Sequence, residues 1–205
     1  MILSGVTHGQ RAAIVSPSKH VNGGNSEPSP LDVVRVFYSY ITRHQPLGIP
    51  KGNDKKALWP LMSKQLVQQL NTLQLCEDDY YTRYGELLRK NDWKPSIGWL
   101  EYGLFSGGNE AATPSKFSIL SAAKRKSKVD VHLRFTYKQT YCCGAPPAYE
   151  HYEGIVEVIS EDNRFVIDDY VALGDYKPGR RLSEGFSECQ GGKWVGRPER
   201  QSRRD

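Results

Sequence analysis

The sequence predicts an α+β protein in which N-terminal helices pack on a strongly curved antiparallel sheet. Apolar stripes with helical spacing come first along the chain, and strand-like segments follow them. Residues 129–137 alternate strictly between apolar and polar side chains, which is typical of a strand with one buried face. Two runs rich in Val and Ile, at 154–160 and 164–173, flank a polar turn, and this arrangement predicts a β-hairpin.

The first predicted helix begins at Ser29-Pro30, because serine is a good N-cap and proline fits the first helical position. Asp32 adds an acid to its first turn. We expect the helix to end near Gln45-Pro46, since a residue before proline leaves the α region. Its apolar residues recur at helical spacing and predict one buried face; they are Leu31, Val34, Phe37, Tyr38 and Ile41.

Two further helices are predicted before the strands. Trp59-Pro60 should open the second, with an apolar stripe that runs to Leu73. The third should extend from Glu77 to about Lys90, because the acids at 77–79 favour a helix N-terminus. A short strand at 117–120 then precedes the alternating strand.

The charge pattern gives little indication of a nucleic-acid partner. The net charge is +5, and much of it lies in the run 124–128 and in the arginine-rich end of the chain. We interpret the run as a solvated loop before a strand, and the end as a disordered tail. Because no aromatic residue interleaves the basic run, we do not expect it to stack nucleic-acid bases.

The length of 205 residues predicts a single α+β domain at 29–196, with a flexible leader at 1–28 and a basic tail at 197–205. No apolar run approaches the ~20 residues of a membrane span. The first residues lack the basic and apolar regions of a signal peptide. A periplasmic or secreted protein would therefore already have lost its signal, and a cytoplasmic protein is the alternative.

Four cysteines permit disulfides in an oxidising compartment: Cys76, Cys142, Cys143 and Cys189. Adjacent cysteines seldom pair with each other, so we predict a bridge from Cys189 to Cys142 or Cys143. Zinc is the competing interpretation, with these three cysteines and His132 or His151 as ligands. No C-x-x-C pair is present, so we do not expect a metal site. We expect no cofactor either.

The order of elements, the opening helix at 33–40 and the closing strand at 164–169 resemble the nuclear-transport-factor-2-like (cystatin-like α+β) superfamily. More narrowly, residues 29–196 are similar to an uncharacterised bacterial family of secreted proteins and lipoproteins with that fold. The resemblance implies a cavity between sheet and helices, and homodimers are common for this fold. The basic run and the Cys142-Cys143 loop depart from the family.

Candidate catalytic groups for such a cavity are Asp169, Tyr38 and His132, with Tyr40 and Tyr170 as further possibilities. Regular alternation would put Asp169 on the same face as Phe165 and Ile167, so a semi-buried base is one interpretation. A carboxylate hydrogen-bonded to a tyrosine or to loop amides is the structural alternative. A small isomerase or hydrolase is therefore our second functional hypothesis.

Our leading hypothesis is a non-enzymatic binding module that recognises a protein or a small ligand. The sequence lacks a phosphate-binding glycine loop, a dinucleotide fingerprint and a nucleophile elbow. Four tyrosines surround the cysteine loop and are candidate contact residues: Tyr137, Tyr141, Tyr149 and Tyr152. One specific form of this hypothesis, by analogy, is an immunity-type protein that inhibits a bacterial toxin.

Overall fold

The fold is α+β, with helices packed against one face of a four-stranded antiparallel sheet. A computed structural model describes residues 28–97, 99–100, 103–107, 114–139, 148–173, 179 and 181–198. The helices are α1 (Pro30–His44), α2 (Gly52–Leu58) and α3 (Lys64–Asn91). The sheet strands, in spatial order, are β1 (Pro114–Arg125), β2 (Lys128–Gln139), β3 (Ala148–Glu161) and β4 (Arg164–Ala172). A small second sheet pairs β5 (Cys189–Gln190) with β6 (Lys193–Trp194).

Helix α1 begins and ends where the sequence predicts. The backbone N–H of Ser29 donates to Asp32 Oδ2 at 2.9 Å, and the Ser29 hydroxyl donates to the same oxygen at 2.7 Å. These hydrogen bonds lower the pKa of the Asp32 carboxyl. Gln45 adopts the left-handed conformation at φ 52° and ends the helix before Pro46.

The second and third predicted helices are one helix, and its predicted start is wrong. Residues Trp59–Leu61 form a 3₁₀ turn, and α3 begins after Ser63, whose hydroxyl accepts from Leu66 N at 3.1 Å. The helix then continues through Glu77 to Asn91, because no proline or glycine interrupts the segment before Gly85. The acids at 77–79 therefore mark the middle of a helix.

The alternating strand is confirmed as β2, whose residues Val131, Leu133, Phe135 and Tyr137 are all buried. Its neighbour β1 is longer than predicted, at 12 residues. The basic run contains an exposed turn before a strand, as predicted, because Lys126 and Ser127 join β1 to β2. Its other residues belong to the two strands, which the prediction did not include. The run is thus the tip of a hairpin.

The hairpin of β3 and β4 is confirmed, with a two-residue turn in which Asp162 and Asn163 adopt φ of 51° and 60°. Two successive positive φ values fit the twist of a hairpin. A register shift follows, since Glu157 pairs with Asp169 while Val158 pairs with Ile167. The extra residue in β4 is a β-bulge. It turns Asp169 away from the face of Ile167, and the predicted alternation is wrong there.

One disulfide joins Cys76 of α3 to Cys189 of β5, across 113 residues of sequence. The prediction that Cys189 is bridged is confirmed, but its predicted partner is wrong, because α3 brings Cys76 to β5. The zinc alternative loses Cys189 as a ligand for the same reason. Cys142 and Cys143 lie outside the described residues, as does the predicted leader before residue 28 and the tail after residue 198. Within the described part of the chain, no helix has the length and apolarity to cross a membrane.

Removal of the disulfide should lower stability. We expect the Cys76→Ala/Cys189→Ala double variant to lose about 2–5 kcal/mol in the free energy of unfolding, since the bridge closes a long loop. Urea unfolding with and without reductant measures this loss. Reductant should destabilise the wild-type protein but leave the double variant unchanged. Titration of unreduced, denatured protein should find at most two of the four thiols; a count of four would contradict the bridge.

A matched pair of glycine substitutions should shift stability in opposite directions. A Cβ on Gly154 would lie 2.4 Å from the ring of Tyr170, so Gly154→Ala should cost about 1–3 kcal/mol through overpacking. The nearest atom to a Cβ on Gly85, within α3, is 3.9 Å away. Gly85→Ala should therefore stabilise the protein by about 0.5–1 kcal/mol through higher helix propensity. Urea midpoints compare both variants, and a neutral Gly154→Ala would contradict the packing described here.

Candidate functional site

The strand register divides the sheet into a helix-covered face and an outer face. Val131, Val156 and Tyr170 are cross-strand neighbours and belong to the buried core under the helices. Because side chains alternate between faces, the residues between them point to the outer face. Three acids there occupy one cross-strand row, which we call the acid row: Asp130 of β2, Glu157 of β3 and Asp169 of β4.

Like charges directly opposite each other destabilise a sheet, and the acid row is compensated by cations. Arg125 Nε lies 2.8 Å from Asp130 Oδ2, and Lys128 Nζ lies 2.5 Å from Glu157 Oε2. Arg181 contacts two of the acids, Glu157 through Nη2 and Asp169 through Nη1. Two of these cations, Arg125 and Lys128, belong to the basic run, so part of its charge is paired with acids of the same sheet.

Glu157, the middle member of the acid row, is held as an ionised carboxylate. Burial raises the pKa of Glu157, but hydrogen bonds from Arg181 and Lys128 outweigh it and the pKa is lowered overall. The hydrogen bond to Glu157 in turn raises the pKa of Arg181. The Glu157 and Asp169 side chains are buried while the two cations stay about one-third exposed.

Asp169, the first candidate base, is a structural anchor. Its Oδ1 accepts from the backbone N–H of Tyr170 at 2.9 Å and of Ser183 at 3.0 Å. Its Oδ2 accepts from Arg181 at 2.8 Å and from the Ser183 hydroxyl at 2.6 Å. With both oxygens engaged, the carboxylate fixes the 3₁₀ turn at Leu182–Glu184 against β4. This arrangement matches the structural alternative, a carboxylate held by loop amides.

His132 and Tyr38 lie on opposite faces of the sheet. His132 Nε2 is 3.0 Å from Glu153 Oε2 on the outer face. Tyr38 is fully buried under the helices, and its hydroxyl donates to Phe105 O at 2.9 Å. Burial raises the pKa of Tyr38 well above its ordinary value, so it stays protonated. The three candidate catalytic residues therefore do not converge.

The other candidate tyrosines also lie in different parts of the structure. Tyr170 is buried in the core, whereas Tyr40 donates to Asp54 Oδ1 at 2.7 Å beside α2. Tyr137 is buried, and its hydroxyl donates to Ser106 O at 2.9 Å. Tyr152 packs edge-on against Tyr137 at 5.0 Å between ring centroids.

Of the four tyrosines proposed as contacts, Tyr149 is exposed, at 58%, and Tyr141 lies outside the described residues. Since Tyr137 and Tyr152 belong to the core and its border, the group does not present one aromatic surface.

A partly exposed ionic cluster occupies the outer face on β2 and β3, farther along these strands than the acid row. Arg134 donates to Glu153 Oε1 from Nε at 2.9 Å and from Nη2 at 2.7 Å. The hydrogen bond from Arg134 lowers the pKa of Glu153. Arg134 is 47% exposed, and both His132 and Glu153 are about one-third exposed. We call His132, Arg134 and Glu153 the exposed cluster.

Sequence reasoning missed Arg181, Glu157 and Glu153 as members of this surface. The alternation of 129–137 places Asp130, His132 and Arg134 on one face, and that signal was available. The partners on β3 depend on strand register, which pattern alone does not supply.

Comparisons of the chain with protein-family models, with curated proteins and with solved structures found no significant match. The site is therefore described from its own geometry. Three open depressions of about 480–560 Å³ lie elsewhere, beside α1 and at the end of α3. None of these three is lined by Asp169, Tyr38 or His132.

The acid row should make stability depend on pH. Because the pKa of Glu157 is lowered in the folded state, its contribution is present above the ordinary carboxyl value and is lost as pH falls through the folded value. Glu157→Gln should cost about 1–3 kcal/mol at pH 7 and less at acid pH, since it leaves Lys128 unpaired. Urea midpoints from pH 3 to pH 7 measure the difference. Exposed Glu86 on α3 gives the control, and equal curves for Glu157→Gln and Glu86→Gln would contradict the role of Glu157.

Proposed function

We propose that this protein is a non-enzymatic binding module that recognises a protein partner through the outer face of its sheet. The observation that carries the proposal is the exposed cluster, which is held on two paired strands and is partly open to solvent. Two N–H groups of Arg134 donate to Glu153 Oε1, and His132 lies beside Glu153 Oε2. Charged side chains preorganised on a sheet favour specific recognition, because they lose little conformational freedom on binding.

The distribution of the candidate catalytic groups also favours binding over catalysis. A general base must reach the substrate together with its partner groups. Here Asp169 already accepts four hydrogen bonds, and Tyr38 is on the other side of the sheet from His132. A cavity enzyme built on these residues would need a rearrangement of the sheet.

The narrower forms of the proposal concern family and compartment. We propose a cystatin-like, nuclear-transport-factor-2-like fold with a strongly curved sheet, on the basis of the order of helices and strands. A periplasmic or secreted location is supported by the Cys76–Cys189 disulfide, since such bonds persist in oxidising compartments. An immunity-type protein that inhibits a toxin is the specific form we propose, and it rests on analogy alone.

A tagged pull-down from the native host, with bound proteins identified by mass spectrometry, tests the function. We expect a stoichiometric partner that the wild-type protein retains. Arg134→Glu reverses the charge of the exposed cluster and should weaken the measured affinity for that partner by about tenfold or more.

The matched control is Arg89→Glu, which makes the same charge change on the exposed side of α3. It should bind as the wild-type protein does. Equal binding by Arg134→Glu and Arg89→Glu would show that the interface is not on the outer face. An empty pull-down, followed by a small-ligand thermal-shift screen with hits, would replace protein recognition with ligand binding.

A further inference from the structure

The two edge strands of the sheet, β4 and β1, differ in their backbone partners. At the β4 edge, Ser63 N donates to Ile167 O at 2.8 Å, and Arg181 forms a bridge with Val171. At the other edge, β1 pairs with β2, and its other side has no strand or bridge partner among the described residues. An unpaired strand edge is a template for another extended chain.

The turn geometry identifies which backbone groups of β1 face outward. Lys126 and Ser127 form a two-residue turn, so Arg125 and Lys128 are the hydrogen-bonded pair that closes it. Bonds in an antiparallel pair alternate, and Ala123 and Ser121 therefore also bond to β2. The N–H and C=O groups of Ala122 and Lys124 point away from the sheet.

The side chains around these groups are open and mostly small. All six residues from Leu120 to Arg125 are exposed. Ser121, Ala122 and Ala123 leave the edge accessible to an approaching backbone. The end of β1 extends past the helix layer, because Ala122 and Lys124 are exposed although they belong to the helix side of the sheet.

The charges near the β1 edge determine which kind of strand would pair with it. Arg125 and Lys128 are engaged by the acid row, whereas Lys116, Lys124 and Lys126 have no ion-pair partner among the described residues. Cross-strand pairs of opposite charge stabilise a sheet, so the matching strand carries acids at its ends. β1 itself contains no acidic residue, so edge-to-edge pairing with β1 of a second copy would not supply the required charges.

We propose that the β1 edge accepts an extended, acid-flanked segment of a protein partner as a fifth strand of the sheet. The inference rests on the proposed function and deepens it, since it gives the chemistry of the segment that the partner supplies. Backbone hydrogen bonds to Ala122 and Lys124 would provide the pairing, and Lys116, Lys124 and Lys126 would select the acidic flanks.

Amide hydrogen exchange tests the edge in the full chain. In the free protein, Ala122 and Lys124 should exchange much faster than Ser121 and Ala123, which β2 protects. A synthetic peptide of alternating Thr and Val with two Glu at each end should slow exchange at Ala122 and Lys124 by about tenfold or more at saturation. A peptide with Lys in place of Glu should not. Slow exchange at Ala122 without peptide would overturn the proposal, since it would mean that another part of the chain or a second copy already covers the edge.

A matched pair of variants isolates the backbone contact. Ala122→Pro removes an outward N–H without breaking the ladder to β2, and it should reduce peptide affinity at least about tenfold. Ala122→Val keeps the N–H and should retain binding. Equal affinities for the two variants would overturn the strand pairing. Failure of the Glu-flanked peptide to protect Ala122, with single-stranded DNA competing for the peptide's site, would also overturn it. If a host partner binds wild-type protein and Ala122→Pro equally, this inference fails while the proposed function stands.

Discussion

The acid row is the constraint on which the sheet depends, because Asp130, Glu157 and Asp169 are adjacent carboxylates on one face. An unpaired buried carboxylate is expensive, so the row is compatible with folding only when cations reach it. Arg181 supplies the charge for two of the acids at once, and with Ser183 it fixes the course of the chain after β4. The route of the C-terminal segment is therefore set by electrostatics on the outer face.

That route accounts for the closed edge of the sheet. From Arg181 on the outer face, the chain passes β4 and reaches α3, where Cys189 bonds to Cys76 and Trp194 N donates to Asp79 at 2.8 Å. Trp194 packs edge-on against Tyr80 of α3 at 5.1 Å between ring centroids. The segment ties the helix layer to the sheet on the β4 side. On the β1 side no described segment does the same, which gives the sheet one closed edge and one open edge.

The sequence was sufficient for features that depend on local chemistry. The cap at Ser29, the alternation of β2 and the turn at Asp162 follow from neighbouring residues, and all three were predictable. Features set by distant contacts were not. The bulge that reverses Asp169 and the pairing of Cys189 with Cys76 depend on register and on how α3 passes β5, and no local pattern encodes either. The candidate site is of this second kind, because its ion pairs join separate strands.

Asp169 and His132 have opposite environments, although both were candidate catalytic groups. A catalytic base needs an unsatisfied lone pair close to a bound substrate, whereas the four donors on Asp169 leave it committed to the structure. His132 has the opposite environment: it is partly exposed, on a rigid strand, and beside the charged pair of Arg134 and Glu153. Such a surface offers directional charge without a cavity. The proposed recognition of a protein partner rests on this charged surface, and the proposed fifth strand would extend the sheet past the open edge of β1.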